Sequence, residues 1–185
     1  MVNPGSTINL FEFQEKAVTN LINLTTKTDA KETIVMKAPT GSGKTIILID
    51  YIDTYLSNVD KKTAFIWLCP GKGNLEEQSR EKMIKLSPGR STQNLFDALL
   101  GGFAEESTTF INWELVTKSG NIAIRDSERK NLFDRIAEAH RKGTEFIVII
   151  DEEHSNNTVK AKSIIDAFAA KHIIRVSATA IENKR

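Results

Sequence analysis

Cysteine is almost missing from this chain: Cys69 is its single one. No intramolecular disulfide can form, and a reducing cytosol is the expected setting. That cysteine and three scattered histidines offer no metal-ligand spacing. Long hydrophobic runs are missing as well. No stretch reaches membrane-spanning length, and Met1 to Leu10 lacks the basic-then-apolar pattern of a signal peptide. An excess of either charge is missing too, since the formal net charge is +1. That balance excludes a strongly basic nucleic-acid surface over the whole domain, while leaving room for a local stripe. Repeats, low-complexity tracts and charge blocks are absent. What is there is ordinary for one soluble globular domain: 185 residues, 40% hydrophobic and 26% charged, enough for a real core.

Strand and helix signals alternate along the chain. Strands are predicted at Thr33–Met36, Thr63–Cys69 and Glu145–Ile150, at His172–Val176, and as a short piece at Phe110–Trp113. The run from Thr63 to Cys69 is nearly all apolar and ends at Pro70-Gly71, which suits a strand buried on both faces. Helices are predicted at Asn9–Thr26, with Asn9 and Glu12 resembling a capping box, and at Lys44 to about Leu56. Others are expected at Asn74–Leu86, Thr92–Leu100, Asp126–Lys142 and Thr158–Ala170. The alternation predicts an α/β fold with a mainly parallel sheet and helices on both faces. Ligands bind such sheets at the carboxyl ends of the strands.

Three strand ends carry chemistry. Ala38-Pro39-Thr40-Gly41-Ser42-Gly43-Lys44-Thr45 follows the first strand and opens into the apolar run Ile46 to Ile49. Strand, glycine loop, Gly-Lys-Thr and helix form the setting of a phosphate-binding P-loop. Thr40, Gly41, Ser42 and Gly43 would curl backbone N–H groups around an anion, helped by the positive end of the next helix. Lys44 would reach the terminal phosphates and the Thr45 hydroxyl would hold Mg²⁺. The bland alternative is a glycine-rich turn.

Asp151-Glu152-Glu153-His154 follows the most apolar strand. Carboxylates at a sheet edge are costly without a cation or donors. A phosphate-borne Mg²⁺ would supply one, with Asp151 holding it, through water, and Glu152 orienting and deprotonating the attacking water. The bland alternative is a solvated acidic turn. Ser177-Ala178-Thr179 ends the last strand, with no paired base to make either hydroxyl a nucleophile. His140 and His172 read as structural, one edging a helical stripe and the other beginning a strand.

Taken in order, the three strings resemble motifs I, II and III of superfamily 2 helicases and translocases, across Leu10 to Ala180. Phe11-Glu12-Phe13-Gln14 is similar to the glutamine motif that contacts adenine in that superfamily, and Trp67 to Lys72, with Leu75 and Gln78, to motif Ia. The resemblance implies a RecA-like P-loop NTPase fold, with ATP and Mg²⁺ as cofactors. It gives Gln14 to the adenine, and gives His154, Ser177 and Thr179 the coupling of nucleotide to nucleic acid. Lys72 and Arg80, with Lys118 and Arg125, are candidates for phosphate contacts, against the plainer reading of solvated surface cations. Thr109 to Glu114, Asn121 to Arg125 and Asp-Glu-Glu-His together resemble the Res subunit of type III restriction–modification enzymes. That implies ATP-driven movement on duplex DNA, a separate C-terminal nuclease, and a modification (methyltransferase) subunit as partner. Residues 1–185 are then expected to be a single N-terminal RecA-like ATP-binding domain, a first-half fragment. The second RecA-like domain, with its arginine fingers, would be absent, leaving ATP hydrolysis weak. Competing readings are another superfamily 2 DNA or RNA helicase, a nucleotide-gated binding module without turnover, and, last, a small-molecule P-loop kinase.

Overall fold

The computed structural model describes residues 8–27, 29–59, 62–71, 73–117, 131–151 and 159–178. Their elements run α1 (Glu12–Thr26), β1 (Glu32–Lys37), α2 (Lys44–Asn58), β2 (Thr63–Cys69), α3 (Leu75–Leu86), β3 (Ser91–Asn94) and α4 (Leu95–Gly101). They continue with β4 (Ser107–Asn112), α5 (Trp113–Thr117), α6 (Leu132–Arg141), β5 (Glu145–Asp151), α7 (Val159–Phe168) and β6 (His172–Ser177). The six strands form one sheet in the order β1-β6-β5-β2-β4-β3, and every pairing is parallel. The expected α/β architecture is the observed one.

Strand handedness decides which helix covers which face. Connections running from β1 to β2 and from β2 to β3 carry α2 and α3 on one face, joined there by α1. Connections running back carry α4, α6 and α7 on the other face. Right-handed crossovers require this split, because reversing the direction of travel moves the helix across the sheet. The apolar run of β2 divides accordingly. Phe65, Trp67 and Cys69 pack with α2 residues such as Ile47 and Leu48, while Ala64, Ile66 and Leu68 pack with Ile136 and Ile164. Each fully buried aliphatic side chain contributes roughly 1.5–3 kcal/mol, so β2, buried throughout, is the main packing spine.

Several boundaries differ from expectation for identifiable reasons. The first helix starts at Glu12 with Phe11 as its N-cap, not at Asn9. Glu12 closes no capping box with Asn9; its carboxylate instead pairs with Lys16 at 2.7 Å. The side chain that turns back is Gln14, whose Oε1 accepts the Phe11 N–H at 2.9 Å. The short strand expected at Phe110–Trp113 starts at Ser107, and Trp113 opens α5 instead. Its polar first half, Ser107-Thr108-Thr109, is buried between β2 and β3. The helix expected from Thr92 starts at Leu95, because Ser91 to Asn94 add to the sheet edge as β3. Gln93 holds that edge: its Nε2 donates to the Gly102 carbonyl at 3.1 Å and its Oε1 accepts the Ala104 N–H at 2.9 Å. Asn94 then caps α4 through reciprocal bonds with Asp97, both 2.9 Å. The helix expected from Asp126 is described from Leu132, with Asn131 as N-cap; its expected start lies outside the described residues, as does Thr158.

Candidate nucleotide site

The loop after β1 is built from two left-handed glycines. Gly41 (φ 82°) and Gly43 (φ 79°) adopt a conformation that costs an L-residue about 1–2 kcal/mol. Between them the Ser42 N–H donates to the Pro39 carbonyl at 3.1 Å, closing a turn. Gly43 is the N-cap of α2, and the Ile47 N–H donates to its carbonyl at 3.0 Å. The positive end of this fifteen-residue helix has no acidic residue in its own first turn and no side-chain cap. Lys44 and Thr45, its first residues, are both half-buried. The donor set fits an anion.

Gln14 ties α1 to this loop. Its Nε2 donates to the Ser42 carbonyl at 2.9 Å, and the residue is 5% exposed. A Cβ on Gly43 would stand 2.5 Å from that nitrogen, so a side chain there would push the Gln14 amide off the Ser42 carbonyl, on top of the backbone cost. Gln14, expected to face adenine, thus has one donor and one acceptor engaged inside the protein.

Sheet register brings the other strand ends alongside. Met36 of β1 and Asp151 of β5 both lie opposite Val176 of β6. With strands about 4.8 Å apart, those two backbones stand roughly 10 Å from each other across β6. The Ala38 N–H donates to the Ser177 carbonyl at 3.1 Å, joining the loop to the end of β6. Glycine loop, Asp151 and Ser177 therefore share one rim. Glu152, His154, Thr179 and Lys72 lie outside the described residues, as do Lys118 and Arg125.

Beyond Asp151 the rim carries groups that lie in the stretches resembling motif Ia and the Res subunit but to which the sequence assigned no individual role. Asn112, at the end of β4, donates from Nδ2 to Glu76 Oε1 at 3.3 Å and accepts the Glu114 N–H at 2.8 Å. It thereby links the start of α3 to the start of α5. Glu114 also fills the place a Gly71 side chain would take, 1.9 Å from its ideal Cβ. Cys69 is buried, and burial first, then the Asp151 and Glu76 carboxylates, push its thiol well above the ordinary value. Only the packed strand ends reveal these contacts. Arg80 is held within the protein: Nε donates to Thr92 Oγ1 at 3.3 Å, with Glu77 at 3.6 Å and Asp97 at 4.0 Å from its other nitrogens. Among the described residues, no three His, Cys, Asp or Glu side chains are grouped to hold a metal alone, and no helix is long and apolar enough to cross a membrane.

The fold recurs in solved structures. The Sulfolobus solfataricus SWI2/SNF2 ATPase core in complex with dsDNA aligns over 99% of this chain and 35% of its own, at 14% identity and a TM-score of 0.69. A nuclease-deletion mutant of the type ISP restriction-modification enzyme LlaGI, in complex with a DNA substrate mimic, aligns over 96% of this chain and 19% of its own, at 14% identity and TM-score 0.60. The UvsW helicase from bacteriophage T4 aligns over 96% and 55%, at 17% identity and TM-score 0.58. This chain thus spans between about a fifth and about half of those proteins, and what it shares with them is the RecA-like helicase-core fold. No curated protein matches the sequence. Residues 7–182 match the family described as type III restriction enzyme, res subunit, and the chain belongs to that family.

Proposed function

We propose that this chain is the ATP-binding half of a DNA-translocating motor. The observation that carries the reading is the uncapped start of α2 behind two left-handed glycines, at the same sheet rim as Asp151. In this reading backbone N–H groups of Gly41 to Thr45 hold the β- and γ-phosphates, and Lys44 reaches the terminal one. Thr45 and, through water, Asp151 would hold a magnesium ion. When bound, the ion neutralises charge on the phosphate oxygens. Glu152 takes the proton of the attacking water, and His154, Ser177 and Thr179 pass the nucleotide state to the nucleic-acid face. Arginine fingers from a second RecA-like domain would add on the order of 10³–10⁵ in rate, so hydrolysis by residues 1–185 alone is slow.

Family membership supports a finer assignment: the restriction subunit of a type III restriction-modification system, acting on duplex DNA. The parent would carry a C-terminal nuclease and meet a methyltransferase subunit. Duplex binding would be strongly salt-dependent. Titrating ATP with magnesium into this chain tests the core of the reading. Binding is expected, with Lys44→Ala weakening it on the order of tenfold or more. Equal binding by that variant would remove the phosphate role. In the longer parent, Glu152→Gln should retain nucleotide and lose turnover, which separates a motor from a binding module.

A further inference from the structure

Polar atoms are stranded at the amino ends of the central strands. Tyr51 Oη, Thr63 Oγ1, Glu145 Oε2 and both ring nitrogens of His172 are buried, and none has a hydrogen-bond partner among the described residues. Tyr51, Thr63 and His172 are 0% exposed. All of these atoms belong to one face of the sheet. Phe65, Ile147 and Ile174 pack with the residues of α1 and α2, and Thr63, Glu145 and His172 stand two residues before them on the same strands. Side chains alternate along a strand, so these three face α1 and α2 as well. Thr63 lies directly opposite Glu145, while His172 lies opposite Ile147, one strand across and two residues on from Glu145. Tyr51 leans over the same strands, its ring edge-on to Phe65 with centroids 5.9 Å apart. Thr25, near the end of α1, is close enough to bear on both the Tyr51 hydroxyl and the His172 ring, but reaches hydrogen-bond geometry with neither. Its own hydroxyl donates to the Leu21 carbonyl at 2.8 Å.

We infer that this is a binding site for internal water, with a molecule held against each ring nitrogen of His172. Buried polar groups without a protein partner are costly, and ordered water is what ordinarily satisfies them. Strand spacing and rise set the His172 and Glu145 backbones roughly 8 Å apart, a separation that a bridging water spans. The two imidazole nitrogens point away from each other, so one water cannot serve both. The donors and acceptors also balance. In a neutral imidazole one nitrogen donates and the other accepts. One water accepts the ring N–H and donates to the Glu145 carboxylate and to Thr63 Oγ1. The other donates to the bare nitrogen and accepts the Tyr51 O–H. Each thereby approaches the count of about three bonds that is usual for a buried water. A cation does not fit, since among the described residues no three His, Cys, Asp or Glu side chains gather to hold one. Glu145 also lines a cavity of about 390 Å³ with Lys31, Thr144 and Lys171, which gives water a way in. The last turn of α1 thus rests on bound water, at the end of the helix far from Gln14.

A high-resolution crystal structure of the 185-residue chain tests this directly. Ordered water is expected within about 3.2 Å of each His172 nitrogen, one molecule also reaching Glu145 or Thr63. A direct His172–Glu145 bond, a dry site, or a metal ion or other ligand in place of water would overturn the inference. In solution, oxygen-17 relaxation dispersion of water reads the molecules that stay bound inside the protein. Thr63→Val with Tyr51→Phe should lower its amplitude relative to the parent, because each substitution removes a hydroxyl and little volume. Unchanged amplitude in a variant that thermal unfolding shows to be folded would equally overturn it. If that variant does not fold, the crystallographic outcome on the parent chain decides.

Discussion

The backbone N–H of Ala38 donates to the carbonyl of Ser177 at 3.1 Å, fastening the start of the glycine loop to the end of the last described strand. A ligand that stiffens the loop must therefore also stiffen β6. Saturating ATP should slow amide exchange at Ala38 and at the Val176–Ser177 end of the sheet, and leave α4, near the far edge, unchanged. Equal protection across the whole sheet would argue for global stabilisation and against this linkage.

The two loop glycines should differ in what a methyl group costs. Gly41 and Gly43 share the left-handed penalty of about 1–2 kcal/mol, but a Cβ on Gly41 meets nothing within 4 Å. On Gly43 it meets the Gln14 amide at 2.5 Å. Gly43→Ala is expected to lower the unfolding midpoint more than Gly41→Ala, and Gln14→Ala in the same chain to recover part of the difference. Thermal unfolding of these three variants beside the parent decides the matter; a larger loss at Gly41 would contradict the packing account.

A buried ion pair fixes the end of α2. Arg90 Nε donates to Asp53 Oδ1 at 2.5 Å, and its Nη2 donates to the Asp53 carbonyl at 2.9 Å and to Ser57 Oγ. Ser87 Oγ donates to the same Asp53 oxygen at 3.1 Å. Removing the guanidinium takes the cationic partner from a largely buried carboxylate, which costs about 3 kcal/mol. Arg90→Ala should show that loss in urea unfolding, and Arg90→Lys should restore little of it, because lysine lacks the planar fork. A cost below about 1 kcal/mol would place the pair with ordinary surface bridges.

His172 makes stability fall with acid. It is fully buried on β6. Burial, and then the Lys171 charge, hold its imidazole below the ordinary value, partly offset by the Thr25 backbone and by Glu32 and Glu145. The folded chain stays neutral there while the unfolded chain takes up a proton near pH 6.5. The unfolded state then binds more protons, so stability is complete above about pH 6.5 and declines below it. One such proton changes stability by at most about 1.4 kcal/mol per pH unit. Urea unfolding from about pH 8 to about pH 5 should show that slope, and His172→Leu should flatten it.

Cys69 should be chemically silent. It is 1% exposed, and burial with nearby carboxylates raises its thiol. Since the thiolate is the reactive form, maleimide labelling should follow global unfolding. Rapid labelling of the folded chain would show that the rim around Asp151 opens locally.

Much of this was legible locally. The strand Thr63–Cys69 was bounded correctly because its apolar run and the Pro70-Gly71 stop lie in consecutive residues. The glycine loop was legible for the same reason, its strand, turn and helix being contiguous. Ser91 to Asn94 gave no strand signal, since four polar residues become a strand only when β4 offers a pairing edge and Gln93 finds Gly102 and Ala104. Gln14 could be marked as a motif residue, but its bond to Ser42, 28 positions away, could not.

The sequence by itself determined where the chain turns, which segments alternate between strand and helix, and which strand ends carry phosphate-type chemistry. Such signals are set by the period of apolar residues and by local backbone freedom. The tertiary structure alone decided that β6 enters between β1 and β5, setting Asp151 one strand away from the glycine loop, and that Gln14 of α1 reaches the Ser42 carbonyl. Those outcomes depend on distant segments competing for the same edges and faces, and no local stretch of residues contains that information.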